Sequence, residues 1–135
     1  MPQDLIFAPM GAMALLTFAV LGFIPVRRFR AAFANQVTAD DFKFGESPRV
    51  PSHVAVANRN FMNLLELPIL FYVVCLMYFV AGRLDQPALV VAWLYVAVRA
   101  VHSVIHLTYN NVMHRLTAYA VSNAVLGTLW VLFFV

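Results

Sequence analysis

The stretch RNFMNLLELPILFYVVCLMYFVAG, residues 59–82, decides the fold, because a polar segment runs directly into an apolar one. The part without charge, residues 67–82, is shorter than the ~20 residues that a helix needs to cross a bilayer. Counting back that length from the end of the run places Glu66 within the bilayer and Asn63 at its edge. Arg59 lies one turn beyond. The polar residues must therefore share the membrane helix.

Pro68 lies where the polar and apolar parts of this helix meet. Its nitrogen cannot donate a hydrogen bond to the carbonyl of Leu64, so we expect a kink there. A kink would open the polar end of the helix and make room for a ligand. The simpler interpretation is a proline that is only tolerated in a membrane helix.

The composition indicates a membrane protein rather than a soluble one. The chain has 135 residues, of which 63% are hydrophobic and 11% charged, and its mean hydropathy is +0.81. Soluble domains carry about 25% charged residues. The net charge of +3 does not indicate a nucleic-acid partner, because the basic residues are scattered and form no patch.

Four segments satisfy the length requirement for a membrane span. The third remains long enough only if it continues through Arg99, His102 and His106. We therefore predict an all-α integral membrane protein, a four-helix transmembrane bundle in a single domain, residues 1–135. The predicted spans are about 5–26, 58–82, 87–107 and 116–135, and the long loop is about 27–57.

The basic residues predict the orientation. The first and third loops carry most of them, whereas Arg83 alone lies on the opposite side. The positive-inside rule then places these two loops in the cytoplasm. An even number of spans puts both termini on the non-cytoplasmic side. Asp4 precedes the first apolar run and the arginines follow it, which argues against a signal peptide.

Three predicted helices each carry a polar stripe near the same end. At about 100° per residue, the members of each stripe lie within about 60° of one another. The three stripes are Arg59, Asn63 and Glu66; Arg99, His102 and His106; and Arg115, Tyr119 and Ser122. Ionisable residues at bilayer depth usually face a bundle interior or a cavity.

The charges of these stripes favour an anion as the ligand. Glu66 is the one carboxylate, and it stands against Arg59, Arg99 and Arg115. A buried arginine–glutamate network that only fixes helix packing is the structural alternative. A metal site on His102 and His106 is a further alternative, but such a site needs three or more good ligands and tolerates nearby arginines poorly. We predict no metal.

At this point the sequence resembles a known family. The second-helix signature of the MAPEG proteins (membrane-associated proteins in eicosanoid and glutathione metabolism) is similar to the pattern Arg59-x-x-x-Asn63-x-x-Glu66, which Pro68 follows shortly after. RAVHSVIHLTYNNVMHR, residues 99–115, resembles the third helix and following loop of that family's bacterial branch. The resemblance covers about residues 56–123 and is of the microsomal glutathione transferase type. It also implies a bacterial inner membrane.

The resemblance implies a homotrimer in contact with membrane lipids, with glutathione as co-substrate bound between subunits at the cytoplasmic end. It assigns the glutathione contacts to the second and third helices and the thiolate-stabilising pair to the fourth. The contacts implied are Arg59, Asn63, Glu66, Arg99, His102 and His106, and the catalytic pair is Arg115 and Tyr119.

Two positions depart from relatives. His106 stands where the eicosanoid branch tends to have a tyrosine, and Met62 stands where prostaglandin synthases add an arginine. The function expected from this resemblance is a transferase or peroxidase that detoxifies lipophilic electrophiles. The alternatives are a non-catalytic scaffold of the same fold that binds lipid or anions, and a metal or haem subunit using the two histidines.

Overall fold

The computed structural model describes residues 1–135 as an all-helical chain. Four of its helical segments are long and apolar enough to cross a membrane. The expectation of an all-α, multi-pass integral membrane protein is therefore confirmed. The α-helices are α1 (Phe7–Phe33), α2 (Ser52–Leu64), α3 (Pro68–Ala81), α4 (Gln86–Leu107) and α5 (Val112–Phe134), and short 3-10 helices lie at Gln3–Ile6 and Ala39–Phe42.

The helices extend past the ends of the predicted spans. α1 continues through Pro25 to Phe33, and α2 begins at Ser52. α5 begins four residues before residue 116, where the side chain of Asn111 accepts a hydrogen bond of 3.0 Å from the amide of His114. Hydropathy reports the thickness of the hydrocarbon, whereas the start of a helix also depends on local features such as the Asn111 cap of α5. The connection between α1 and α2 is accordingly shorter than the predicted loop.

The second membrane span is interrupted. α2 ends at Leu64 and α3 begins at Pro68. Between them the backbone tightens into turns in which the amide of Glu66 bonds the carbonyl of Asn63 at 3.4 Å. Proline is suited to the first position of a helix, where its missing N–H costs nothing. The expected kink is thus a complete break of three residues.

The bundle is closed at the α3–α4 turn. Gly82 ends α3 in the left-handed conformation, with φ of 63°, which glycine adopts without a steric penalty. Asp85 then caps α4 by accepting from the amide of Ala88 at 2.9 Å. The side chain of Gln3 bonds both backbone groups of Leu84, at 2.7 and 3.3 Å. These contacts tie the start of the chain to this turn.

Aromatic side chains fill the centre of the bundle. Phe71 on α3 stacks on Tyr95 of α4, with the ring centroids 4.7 Å apart. The hydroxyl of Tyr78 donates to the carbonyl of Leu129 at 3.2 Å. Cys75 is fully buried beside them. Helices in lipid associate through packing and hydrogen bonds rather than through the hydrophobic effect, so these contacts hold the helices together.

One arginine links three helices at the end of the bundle where the polar residues lie. The guanidinium of Arg27 on α1 donates to the carbonyls of His53 on α2 and Leu107 on α4, both at 2.8 Å. Carbonyls near helix ends lack partners within the helix, so Arg27 satisfies one at the end of α4. It thereby fixes α2 against α4.

Asp41 organises the loop between α1 and α2. Its carboxylate accepts from the amide of Thr38 at 2.8 Å and from the hydroxyl of Ser47 at 2.7 Å. These two hydrogen bonds, with the charge of Arg49, hold the pKa of Asp41 below its ordinary value of 3.8. Hydrogen bonds to the ionised form favour that form. The loop is therefore ordered around a charged carboxylate.

Candidate functional site

A cleft of about 290 Å³ lies between α2, α4 and α5. We call it the Arg115 cleft, after the charged residue in its wall. It brings together five of the nine residues of the three predicted polar stripes. The residues lining it are Asn63, His102, His106, Val112, Arg115, Leu116 and Tyr119.

Arg99 lies behind this cleft and is fully buried. One of its terminal nitrogens donates to the side-chain oxygen of Asn63 at 2.5 Å and to the backbone carbonyl of that residue at 3.4 Å. The remaining guanidinium nitrogens, Nε and Nη1, are buried without a partner. An amide orients an arginine but does not neutralise it. Arg99 therefore keeps its positive charge and has two donor nitrogens without a partner.

The arginine–glutamate network weighed from the sequence is absent. The ion pair in this chain joins Arg28 and Glu46, at 3.5 Å, and belongs to the loop. Glu66 lies in the break between α2 and α3 and is exposed. Neither Arg99 nor Arg115 therefore forms an ion pair with a carboxylate within the chain.

Arg59 and Glu66 do not line the Arg115 cleft of the single chain. Both side chains are exposed. The helical wheel assumed one continuous helix, but α2 ends before Glu66. The face of α2 that packs inward is also rotated from the predicted stripe. It consists of Val54, Ala57, Asn60 and Leu64.

Asn60 is a buried polar residue that the stripe analysis missed. It is fully buried, and its side-chain oxygen accepts from the hydroxyl of Ser103 on α4 at 3.4 Å. Its side-chain nitrogen has no partner. The spacing of Val54, Ala57, Asn60 and Leu64 was the available signal, because it follows the helical period. The predicted stripe was placed on the adjacent face instead, because that face carries the charged residue Arg59.

His102 and His106 lie side by side on α4. Their ring centroids are 5.7 Å apart, and the ring of His102 is 6.1 Å from that of Tyr119. The Nδ1 atom of each histidine is buried without a partner. No group of three or more His, Cys, Asp or Glu side chains suited to a metal ion occurs in the structure. Buried polar atoms of this kind are normally satisfied by water or by a ligand.

The turn between α4 and α5 positions Arg115. Its guanidinium donates to the side-chain oxygen of Asn110 at 2.7 Å. Asn110 adopts a left-handed conformation, with φ of 47°, and its amide bonds the carbonyl of Ile105 at 2.8 Å. Asparagine tolerates this conformation better than most residues. Tyr119 follows one turn later, so the guanidinium and the phenol share the cleft.

A second polar cleft, of about 180 Å³, lies at the end of the bundle. We call it the vestibule. It is formed where α2 begins and α4 ends, so it lies outside the apolar centre of the bundle. His106 lines both the vestibule and the Arg115 cleft. The residues lining the vestibule are Arg27, Ser52, His53, Val56, His106, Leu107, Thr108 and Asn110.

Comparison with known proteins gives one result. The sequence model of the MAPEG family matches residues 6–135, which is nearly the whole chain. No curated protein and no solved structure matches. The family match includes every residue of the Arg115 cleft and of the vestibule.

Proposed function

The chain belongs to the MAPEG family, and we propose that it is a membrane-bound, glutathione-dependent transferase or peroxidase. In this proposal it conjugates or reduces lipophilic electrophiles with a stabilised glutathione thiolate. The observation that carries the proposal is the Arg115 cleft, where Asn63, His102, His106, Arg115 and Tyr119 meet. The family generally uses glutathione, so the ligand is consistent with the family as well as with the charges.

The charges of the site complement those of glutathione, which carries two carboxylates and one ammonium. Arginine binds carboxylates through two parallel hydrogen bonds. Arg99 has two free donors beside Asn63, and Arg59 lies one turn before Asn63 on the surface. Glu66 is unpaired and exposed, so it is free to bind the ammonium.

The chemistry requires the thiolate, because a thiol is a poor nucleophile. A free thiol has a pKa of about 8.5, and an adjacent guanidinium lowers the pKa of an acid by favouring its anion. We assign this role to Arg115, with Tyr119 donating a hydrogen bond to the sulfur. Asn110 holds the guanidinium at 2.7 Å, so the charge is in place before the ligand binds.

The electrophile arrives from the membrane in this proposal. Val112 and Leu116 line the Arg115 cleft next to the guanidinium, and they are 60% and 54% exposed. An apolar molecule dissolved in lipid can therefore reach the sulfur across an apolar edge. The same edge gives no hydrogen bonds to fix one substrate, which suits a range of electrophiles.

We further propose that three copies form the functional unit. Glu66 is exposed on the single chain, in the part of the second span that the sequence places within the bilayer. A charged side chain that faces lipid is costly, and such residues normally face a bundle interior or pair with one another. A neighbouring copy that covers Glu66 and Arg59 removes this cost and completes the wall of the Arg115 cleft. Glutathione then binds between subunits, in agreement with the predicted homotrimer.

The test is conjugation of a chlorodinitrobenzene-type electrophile by purified protein in detergent. We expect glutathione-dependent turnover at pH 7 that falls roughly 10- to 30-fold in Arg115→Ala. A guanidinium lowers the pKa of a neighbouring acid by about 1–3 units, and only about 3% of a thiol with a pKa of about 8.5 is ionised at that pH. Arg30→Ala is the matched control, since Arg30 is exposed at the end of α1. Binding of glutathione without turnover would favour the alternative of a non-catalytic, anion-binding scaffold. Full activity in Arg115→Ala would contradict the mechanism.

A further inference from the structure

We propose that His106 carries the thiol proton from the Arg115 cleft to the vestibule. This inference rests on the proposed function, because it concerns the proton that glutathione loses when its thiolate forms. His106 is the one residue of the polar face of α4 that lines both clefts. Its side chain is only 7% exposed, so the ring separates the two spaces.

A proton exit is needed because the exposed edge of the Arg115 cleft, at Val112 and Leu116, is apolar and offers no group to take up the proton. When the thiolate forms, the sulfur–hydrogen bond breaks and its electron pair stays on the sulfur beside Arg115. The proton must reach water. His106 is suited to accept it, since its Nδ1 atom is buried and has no partner within the chain. A neutral imidazole accepts one proton and returns to neutrality when it releases that proton.

The vestibule supplies the other end of the path. Ser52 and His53 are exposed at the first turn of α2, and Thr108 is exposed just after α4. The vestibule is lined mostly by polar residues and lies where the helices end, so water enters it more readily than the bundle interior. A proton released from His106 into this space leaves the membrane region directly.

The charges around His106 favour release of a proton from its ring over retention of that proton. Guanidinium groups act on this ring from three different helices, and they repel an imidazolium. Because of this repulsion, the ring passes the proton on once it has accepted it. The titratable and charged groups that face His106 are Arg27 on α1, His53 and Arg59 on α2, Arg99 and His102 on α4, and Arg115 and Tyr119 on α5.

His102 does not have this geometry. It lines the Arg115 cleft but not the vestibule, and it lies one turn deeper in α4. A proton on His102 reaches the vestibule only past His106. The two histidines therefore have separable roles, and His106 alone is assigned the transfer.

The experiment is rapid mixing of the purified protein with glutathione in weakly buffered solution. A pH indicator reports proton release and ultraviolet absorbance reports the thiolate. For His106→Gln saturated with glutathione we expect proton release to slow roughly 100-fold, the usual size of a proton-transfer contribution. Added imidazole should restore the rate in proportion to its concentration. His114→Gln is the matched control, because His114 is exposed and lines neither cleft.

Four results would overturn the proposal. The first is an unchanged rate of proton release in His106→Gln. The second is a slow rate that imidazole does not restore, which indicates a structural role. The third is thiolate formation in the wild type without fast proton release. The fourth is no glutathione binding by the wild type, which overturns the proposed function too and is thereby distinguishable from the others. If His106→Gln does not fold, His106→Tyr replaces it in the experiment. The hydroxyl of the introduced tyrosine has an ordinary pKa near 10.

Discussion

The second and third membrane spans carry similar polar residues but present them differently. α4 is a continuous helix, Gln86–Leu107, and buries Arg99, His102 and His106 on one side. The second span breaks after Leu64 and directs its polar residues both inward and outward. The inward set is Asn60 and Asn63, and the outward set is Arg59 and Glu66.

The difference shows what a proline does to a polar stripe. An unbroken helix keeps residues three and four apart on one face. A break lets residues on either side of it face different partners. The polar face of α4 is buried within the chain but keeps unpartnered donors and acceptors, which we assign to the ligand. We propose that the outward residues of the second span are covered by a neighbouring copy.

The largest effect is expected when the buried charge of α4 is removed. In Arg99→Met the site loses the guanidinium that bonds Asn63 behind the Arg115 cleft, so glutathione should bind about 10- to 100-fold more weakly, as expected for a charge-assisted hydrogen bond of about 1.5–3 kcal/mol. The fold should persist, because an apolar residue of similar length often replaces a buried charge without loss of stability. Calorimetry of glutathione binding and thermal unfolding measure the two quantities.

Arg30→Met is the control for Arg99→Met, because it removes an exposed arginine from the end of α1. Its glutathione affinity should match that of the wild type. Unchanged affinity in Arg99→Met would place the ligand away from the buried face of α4, and the comparison between the two spans would then lose its functional meaning.

A smaller effect is expected when the break is repaired. Pro68→Ala restores an amide that can bond the carbonyl of Leu64, so residues 65–67 should become helical. Hydrogen exchange at these amides should slow, and glutathione affinity should fall about tenfold, or ~1.4 kcal/mol, because Glu66 rotates. Pro87→Ala should change neither quantity, since Pro87 lies in the first turn of α4. Unchanged exchange at residues 65–67 would show that packing, and not Pro68, makes the break.

The contact between the two spans can be measured by itself. Asn60 and Ser103 join α2 to α4 at 3.4 Å, which is long for a hydrogen bond. A double-mutant cycle of Asn60→Ala and Ser103→Ala should give a coupling of about 0.5 kcal/mol, near the average for such bonds in membrane proteins. Reversible unfolding in a denaturing detergent supplies the free energies. A coupling of zero would mean that Asn60 does not face α4.

The smallest effect is expected outside both spans, in the loop. The folded pKa of Asp41 lies below its ordinary value, so its stabilisation is present above about pH 4 and is lost as the pH falls through the folded pKa. As the pH falls through the folded pKa, amide hydrogen exchange at Thr38 and Ser47 should therefore become faster than the usual pH dependence of exchange accounts for. At higher pH it should show no such acceleration. Asp41→Asn should abolish this change, whereas Asp40→Asn, at an exposed neighbour, should retain it. Protection that is independent of pH would contradict the carboxylate's role.

The sequence predicted the features that depend on local chemistry. Four apolar runs predict four spans because the bilayer sets a minimum length. Pro68 predicts an interruption because it lacks an N–H. One cleft is lined by residues that each lie on the polar face of their helix, because helices packed side by side bring such faces together. These residues are Asn63, His102, His106, Arg115 and Tyr119.

The remaining features depend on contacts distant in sequence. Asn60 is buried because the hydrogen bonds of Arg27 to His53 and Leu107 fix how α2 rotates against α4, and no local pattern specifies that rotation. The Asp41 network depends on Ser47 folding back onto the loop. The trimer depends on a second copy, so it stays a prediction.

The central claim is that this site binds glutathione and ionises its thiol. Titration of the purified protein with glutathione at neutral pH, followed by ultraviolet absorbance, tests it most directly, with S-methylglutathione as the thiol-free control. We predict a saturable thiolate absorbance that is absent with the S-methyl compound and strongly reduced in Arg115→Ala. Glutathione binding without any thiolate absorbance, or no binding by calorimetry, would contradict the account.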